Sequence, residues 1–319
     1  MKIIGTGRFL PEAVLTNDDL STLVDTNDDW ITTRTGISQR HIASDENTTD
    51  LATKAAKRAI SNAGIEANEI DLIVVATSTP DSFIPGVSHT VLKNLKIEHA
   101  MAFDVNAACT GFIYGLDITS SLMKAHDFKY ALLIGAEVMS KLVNWQDRNT
   151  CVLFGDGAGA VIIKQCANAN PIYAKSTTIP DESHALASGG LALKHPFHLM
   201  AQSDMSITMK GQDVFKFAVS RVCESIAEAL AETGISSGAV DYYVLHQANS
   251  RILDYVAKKL NVASEKFYST IAHTGNTSAA SIPIVLDEMN EKGHLKAGMT
   301  LVLTGFGAGL TYGSVVLTW

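Results

Sequence analysis

Cys109 stands in AACTGF, where a strand-like run at 102–105 passes through small residues into a helical pattern bearing Phe112, Ile113, Leu116 and Met123. A cysteine at such a junction lies at a helix N-terminus, where unpaired N–H groups and the helix dipole favour a thiolate. Its small neighbours leave room for a carbonyl to approach the sulfur. Free cysteines are also among the most buried and inert of residues, so a reactive one needs partners. Two stand well downstream. His246 follows the apolar run 242–245 in LHQAN, at the C-terminal end of a strand, where α/β proteins place ligands. Asn276, in GNTS, opens another helical stretch. Each has an ordinary structural reading, as a capping Asn or a core His. Gathered in one cleft, Cys, His and Asn make a thiolate nucleophile with two polar groups able to stabilise an oxyanion.

The elements that must gather them alternate. The run LIVVA at 72–76 is continuous and β-branched, as in a strand buried on both faces. Thr48-Thr49-Asp50 can cap a helix over 51–63 that ends at Gly64. A helix near 88–95 and strands at 131–137 and within 154–163 complete the first half, whereas 165–210, with Pro180, Gly189-Gly190 and Pro196, reads as irregular. The order then repeats. Gly64 and Gly234, and Asp71 and Asp241, stand at one constant offset of 170, and Phe103-to-Cys109 has the spacing of Phe267-to-His273. Ordered recurrence of several elements points to a duplication. The expected organisation is an N-terminal half at 1–165 carrying the Cys and a C-terminal half at 166–319 carrying the His and Asn, in the α/β class.

Composition bounds the rest. With 319 residues, 46% hydrophobic and 18% charged, the chain can bury a large core, and a net charge of -8 argues against a general nucleic-acid footprint. Cys109, Cys151, Cys166 and Cys223 form no CxxC pair and no disulfide framework, which fits a reducing cytosol. The first residues show no basic segment followed by a long apolar run, so no signal peptide is expected, and no apolar run approaches the roughly 20 residues of a membrane helix. The expected location is cytoplasmic.

DDWITTRTGISQRHIA, AACTGF, DRNTCVLFGDGAGA, LHQANSRI, GNTSAASIP and GFGAGLTYG occur in order along essentially the whole chain. By these motifs the sequence resembles β-ketoacyl-acyl-carrier-protein synthase III, a condensing-enzyme family of the thiolase superfamily. The resemblance implies two similar halves in five layers, αβαβα, as a homodimer. It implies a decarboxylative Claisen condensation of an acyl-CoA primer with malonyl-acyl-carrier protein, giving a 3-oxoacyl-acyl-carrier protein and starting fatty-acid synthesis. Cys109 would accept the acyl group, His246 and Asn276 would hold the enolate, and N–H groups at Cys109 and the Gly307-Ala308 turn would form an oxyanion hole. Trp30, Arg34 and Arg148 match the coenzyme A site, and Phe154, Met209, Gly211, Phe215 and Phe306 match its tunnel. Ala248, Asn249 and Ala308 complete the implied coenzyme A contacts. Lys216 and Arg251 match positions that meet the acidic carrier protein. Acyl-CoA enters as substrate, and neither a resident cofactor nor a metal is implied.

The sequence departs from the family pattern in places. Ile84 replaces an aromatic common at the acyl pocket, and Thr274 stands where an aromatic or basic residue is common. The segment from Thr178 to Asp204 lacks the usual glycine-rich run and carries His195-Pro196-Phe197-His198, a poor metal pair without a completing Cys or carboxylate. The alternatives are a related condensing enzyme with another primer, in secondary metabolism, and a Cys-dependent acyltransferase or thioesterase.

Overall fold

The computed structural model describes residues 1–166, 172–200 and 204–319. One sheet is built from β1 (Lys2–Phe9), β2 (Leu72–Ala76), β3 (Met101–Val105), β4 (Tyr130–Val138) and β5 (Asp156–Lys164), in the order β1-β5-β4-β2-β3. β2 runs parallel to β3 and β4, and β5 runs antiparallel to β4 and β1. The LIVVA run shows why a strand here is apolar throughout. Leu72 and Val74 enter the core on one face, and Ile73 and Val75 enter a second core on the other.

The second sheet comprises β6 (Tyr173–Thr178), β7 (Tyr242–Leu245), β8 (Thr300–Gly307) and β9 (Thr311–Thr318), in the order β7-β8-β9-β6. β6 lies within the stretch expected to be irregular. Its sequence, YAKSTT, has no apolar alternation, and antiparallel pairing with β9, from Tyr173 opposite Val316 to Thr178 opposite Thr311, is what makes it a strand.

The principal helices are α1 (Asp28–Thr35), α2 (Thr48–Ala63), α3 (Val87–Asn94), α4 (Gly111–His126), α5 (Gly211–Thr233), α6 (Ser250–Leu260) and α7 (Ser281–Glu291). α2 and α3 cover the outer face of the first sheet, and α5 and α6 the outer face of the second. Between the sheets lie α4 and α7, whose Phe112, Leu116, Val285 and Met289 share one core with Leu133 of the first sheet and Leu303 of the second. Burial of each such side chain is worth about 1.5–3 kcal/mol. The halves are therefore bound through a common middle layer. α7 also ties back to the chain start, where Asp287 accepts hydrogen bonds from Thr6 Oγ1 at 2.8 Å and Arg8 at 2.7 Å. Among the described residues no helix is long and apolar enough to cross a membrane.

The 170-residue offset recurs in the fold. It relates the turns Ala67–Glu69 and Ser237–Ala239, and the turns Ala108–Thr110 and Ser278–Ala280. Ala108 and Ser278 even share a left-handed backbone, with φ of 45° and 49°. This corrects one expected match, because Cys109 corresponds to Ala279 and not to His273. The short helix Ile271–Thr274 stands before the second turn and displaces the spacing read from Phe267. The capping of α2 also differs. Asn47 is the N-cap, and Asp81 accepts from the N–H groups of Thr48 and Thr49, each at 2.9 Å.

Arg40 is fully buried and donates to Leu15 O at 3.2 Å, Asn17 Oδ1 at 2.9 Å and Val152 O at 2.7 Å. Arg40→Ala orphans these acceptors, at about 1–3 kcal/mol for each one left dry. The expected outcome is a loss of about 3 kcal/mol or more of stability, read as a lower urea midpoint at unchanged slope.

Candidate active site

The nucleophile turn, Ala108–Thr110, leads directly into α4. Cys109 is 8% exposed, so it reaches the cavity with little but its sulfur. Its neighbour across the site is the end of β8. A Cβ on Gly307 would stand 2.9 Å from Cys109 Cβ and 3.1 Å from Cys109 N, so only glycine permits this approach. Burial pushes the Cys109 thiol up to about 12, and the nearby Glu137 carboxyl adds to the rise. Dehydration outweighs the expected favour of the helix start, and the resting group is a thiol rather than the thiolate that its position in the sequence predicts.

His246 follows β7 and is 1% exposed. Burial pulls its pKa down to about 3, so the imidazole is neutral. Its Nδ1 lies 2.7 Å from Ser281 Oγ, which also accepts the N–H of Gln247 at 3.3 Å. In the tautomer to which Ser281 Oγ donates at Nδ1, the imidazole hydrogen stands on Nε2. Phe306 packs edge-on against the ring, 5.1 Å between centroids. Gln247 secures the same corner, donating to Leu245 O at 2.7 Å and accepting from Ser269 Oγ at 2.7 Å and Thr270 N at 3.1 Å.

Asn276 is held by its backbone and by half of its amide. Its N–H donates to Leu153 O at 2.9 Å, and its carbonyl accepts from Gly155 N at 3.0 Å. Its Oδ1 accepts the N–H of Ser278 at 2.9 Å, which fixes the amide and leaves Nδ2 as the free end.

One cavity of about 450 Å³ joins these three residues, with Trp30 also in its wall. Phe154, Met209, Gly211 and Phe215 line it as expected from the sequence, as do Ala248, Asn249 and Phe306. Arg34 and Arg148 are outside its lining but stack on Trp30, with guanidinium carbons 4.6 and 4.7 Å from the ring centroid. Asn249 caps α6 by accepting from Arg251 N at 2.9 Å and donates to Arg34 O at 3.0 Å, so it also ties α1 to the His246 loop. Ala308 lines a second cavity of about 180 Å³ that shares Cys109 and Phe154 with the first and runs on to Met139, Leu142 and Ile207. Lys216 and Arg251 line neither cavity. Both are exposed, and the Arg251 guanidinium lies 6.0 Å from the ring of Phe215. Ile84 is 90% exposed and lines neither cavity, and Thr274 is buried, donating to Thr270 O at 3.1 Å. His195 sits on a hairpin with its Nδ1 accepting Phe197 N–H at 3.2 Å, while the side chain of His198 lies outside the described part.

Residues 103–179 match the family described as 3-oxoacyl-[acyl-carrier-protein (ACP)] synthase III, and residues 230–319 match its C-terminal region. A β-ketoacyl-[acyl-carrier-protein] synthase III of Clostridium botulinum is 48% identical over 100% of this chain and 98% of its own. The chain belongs to the 3-oxoacyl-[acyl-carrier-protein] synthase III family. Like the other synthases III, it is an acyl-transferring condensing enzyme with the duplicated, five-layered thiolase fold. The synthase III structure from Aquifex aeolicus superposes with a TM-score of 0.94 at 44% identity, covering 100% of this chain and 99% of that one. The priming β-ketosynthase of the R1128 polyketide pathway gives 0.91 at 31% identity, over 99% and 95%.

Sequence reading of this synthase missed Ser278, Ser281, Gln247 and Glu137. Only Glu137 left a signal, a lone charge in an otherwise apolar strand, YALLIGAEV.

The depressed pKa of His246 has a sign that stability measurements can read. Between about 6.5 and about 3 the unfolded chain binds a proton at this residue that the folded chain does not, so folding loses stability as pH falls through that window. In His246→Ala, the slope of unfolding free energy against pH between 6.5 and about 4 should be shallower than in the wild type.

Proposed function

We propose that Cys109, His246 and Asn276 carry out a decarboxylative condensation of an acyl-CoA primer with malonyl-acyl-carrier protein, the step that starts fatty-acid synthesis. The carrying observation is that a buried thiol, a neutral imidazole and a fixed amide face one cavity. In this reading Cys109 Sγ attacks the acyl carbonyl and coenzyme A leaves. Malonyl thioester then loses CO₂, and the electron pair of the broken C–C bond moves onto its thioester oxygen. Nε2–H of His246 and Nδ2–H of Asn276 are the donors for that enolate oxygen. The enolate carbon attacks the acyl-cysteine, whose oxyanion is held by N–H groups at Cys109 and the Gly307-Ala308 turn. Release of Cys109 Sγ frees the 3-oxoacyl product.

The cavities support the division of labour. The larger one runs from Trp30 to Cys109, as the arm of coenzyme A or of a carrier protein requires, with Arg34 and Arg148 at its mouth for adenine and phosphate. The smaller, apolar one beyond Cys109 has the volume for a short acyl chain. A second copy of the chain has a natural place, because β3 is the last strand of its sheet. Beside it, Asp104 accepts from the N–H groups of Val87 and Ser88, next to Phe83 and Ile84, which stand 70% and 90% exposed. A homodimer would cover that edge and both side chains. A cytoplasmic location fits the unpaired cysteines and the carrier-protein substrate.

Incubation with acyl-CoA should label Cys109 and leave Cys151, Cys166 and Cys223 unmodified. Peptide mapping that finds the acyl group elsewhere overturns the assignment. His246→Ala and Asn276→Ala should still be acylated but lose about 10²–10³ in malonyl decarboxylation, the usual cost of an oxyanion donor. Wild-type decarboxylation in either variant excludes the enolate role.

Lys216 and Arg251 are rim charges, which act mainly on association and are screened over about 8 Å at physiological ionic strength. Reversing both, Lys216→Glu with Arg251→Glu, should raise the apparent KM for malonyl-carrier protein and flatten its salt dependence. Acylation by acyl-CoA should stay nearly unchanged. Equal losses in both half-reactions would reject a carrier-protein role.

A further inference from the structure

Asn106 joins the end of β3 to the nucleophile turn. Its Oδ1 accepts the N–H of Ala108 at 3.3 Å and the hydroxyl of Ser78 at 3.1 Å. A backbone N–H can only donate, so this pair fixes which end of the amide is oxygen. Ser78 stands just past the end of β2 and is held in turn by its own N–H, which donates to Glu137 at 3.0 Å. The oxygen of Asn106 therefore ties the nucleophile turn to the rigid end of a central strand. Ala108 needs such a tie. Its φ of 45° is left-handed, where a Cβ crowds the following carbonyl and alanine is seldom found. A residue persists there only where its surroundings over-determine it.

The far end of the turn is fastened separately, by Thr110 Oγ1 donating to Thr311 O at 3.2 Å. Cys109 stands between the two fastenings, with β8 pressed against it at Gly307, so the turn has little room to settle elsewhere. Rotation of Ala108 out of the left-handed region would swing the Ala108–Cys109 peptide and carry the sulfur and the Cys109 N–H with it. The second half of the chain uses the same device. At the offset of 170, Asn106 corresponds to Asn276, whose Oδ1 accepts the N–H of Ser278 at 2.9 Å, and Ser278 has a φ of 49°. In both halves an asparagine holds the left-handed residue two places on, at the head of a short helical turn.

We propose that Asn106 is a positioning residue for Cys109, whose Oδ1 holds Ala108 left-handed and so keeps the sulfur aimed for attack on the acyl carbonyl. The inference rests on Cys109 being the acyl acceptor. Asn106 borders the smaller cavity, but its effect on the reaction passes through the backbone of Ala108. Ser78 supports it from behind by occupying the same oxygen.

The test is the rate of Cys109 acetylation by acetyl-CoA, followed by quenched-flow mass spectrometry. Asn106→Ala should slow acetylation by about 3- to 10-fold, the scale of one or two such hydrogen bonds. Asn106→Asp keeps the acceptor and should retain most of the rate. Glycine adopts a left-handed φ without the Cβ penalty, so in an Ala108→Gly background Asn106→Ala should cost about 2-fold or less. That shrinkage separates a hold on the Ala108 backbone from a general loss of structure, which the glycine would not repair. Asn106→Ala at the wild-type rate, Asn106→Asp as slow as Asn106→Ala, or a loss of equal size with and without Ala108→Gly overturns the inference. If Asn106→Ala does not fold, Ser78→Ala decides. It should slow acetylation by about 2- to 5-fold, and less in the Ala108→Gly background, whereas the wild-type rate there overturns the inference. A wild type that takes no acetyl group at Cys109 overturns the acyl-acceptor reading as well, whereas a labelled wild type with unslowed variants overturns the role of Asn106 only.

Discussion

Dehydration of the middle layer is the constraint on which the rest of this site depends. Cys109, His246 and Glu137 are all buried among helices and strands of both halves, and burial drives each toward its uncharged form. A neutral imidazole can donate to an enolate without forming a cation beside it. A dry thiol is protected from stray chemistry but must be helped to lose its proton. The surrounding hydrogen bonds follow from the same cause, since dry polar groups that lack partners are costly. Ser281 serves His246, Ser278 serves Asn276 and Glu137, and Gln247 locks the corner beside His246. Specificity of geometry is thus a by-product of satisfying groups that water cannot reach.

Close approach is the second requirement. The end of β8 reaches Cys109 only because position 307 has no side chain, and the first sheet meets the second nucleophile-like turn in the same way, a Cβ on Gly135 standing 2.2 Å from Ala279 O. Duplication explains why the two turns meet at all. Related units facing each other across one layer place Cys109 on one turn and Asn276 just ahead of the other.

Much of this was legible in the sequence because the signals were local. Cys109, His246 and Asn276 each stand at a junction between an apolar run and a helical pattern, and LIVVA announced a strand buried on both faces. What was not legible depends on contacts distant in the chain. YAKSTT becomes β6 only through β9, and the match of Cys109 to His273 failed because an inserted helix turn shifted the spacing. Ser278 and Ser281 read as ordinary small residues near a helix start, since nothing local says which hydroxyl meets an imidazole or a carboxyl. The thiol was misjudged for a similar reason. A helix N-terminus is visible in sequence, whereas the depth of burial that opposes it is not.

The shared middle layer also has a meaning for biosynthesis. The first sheet is complete once residue 164 has been made, but its inner face, with Leu72, Val74, Leu133 and Val161, is covered partly by α7, which ends at residue 291. At about 5–20 residues per second, the ribosome needs on the order of ten seconds to make that stretch. Throughout that time the nascent chain carries a sheet face that α4 covers only in part, and the bonds from Thr6 and Arg8 to Asp287, across 281 and 279 residues, cannot form. Closure of that face thus waits for α7, and any chaperone that shields the first half must hold it until α7 has left the ribosome.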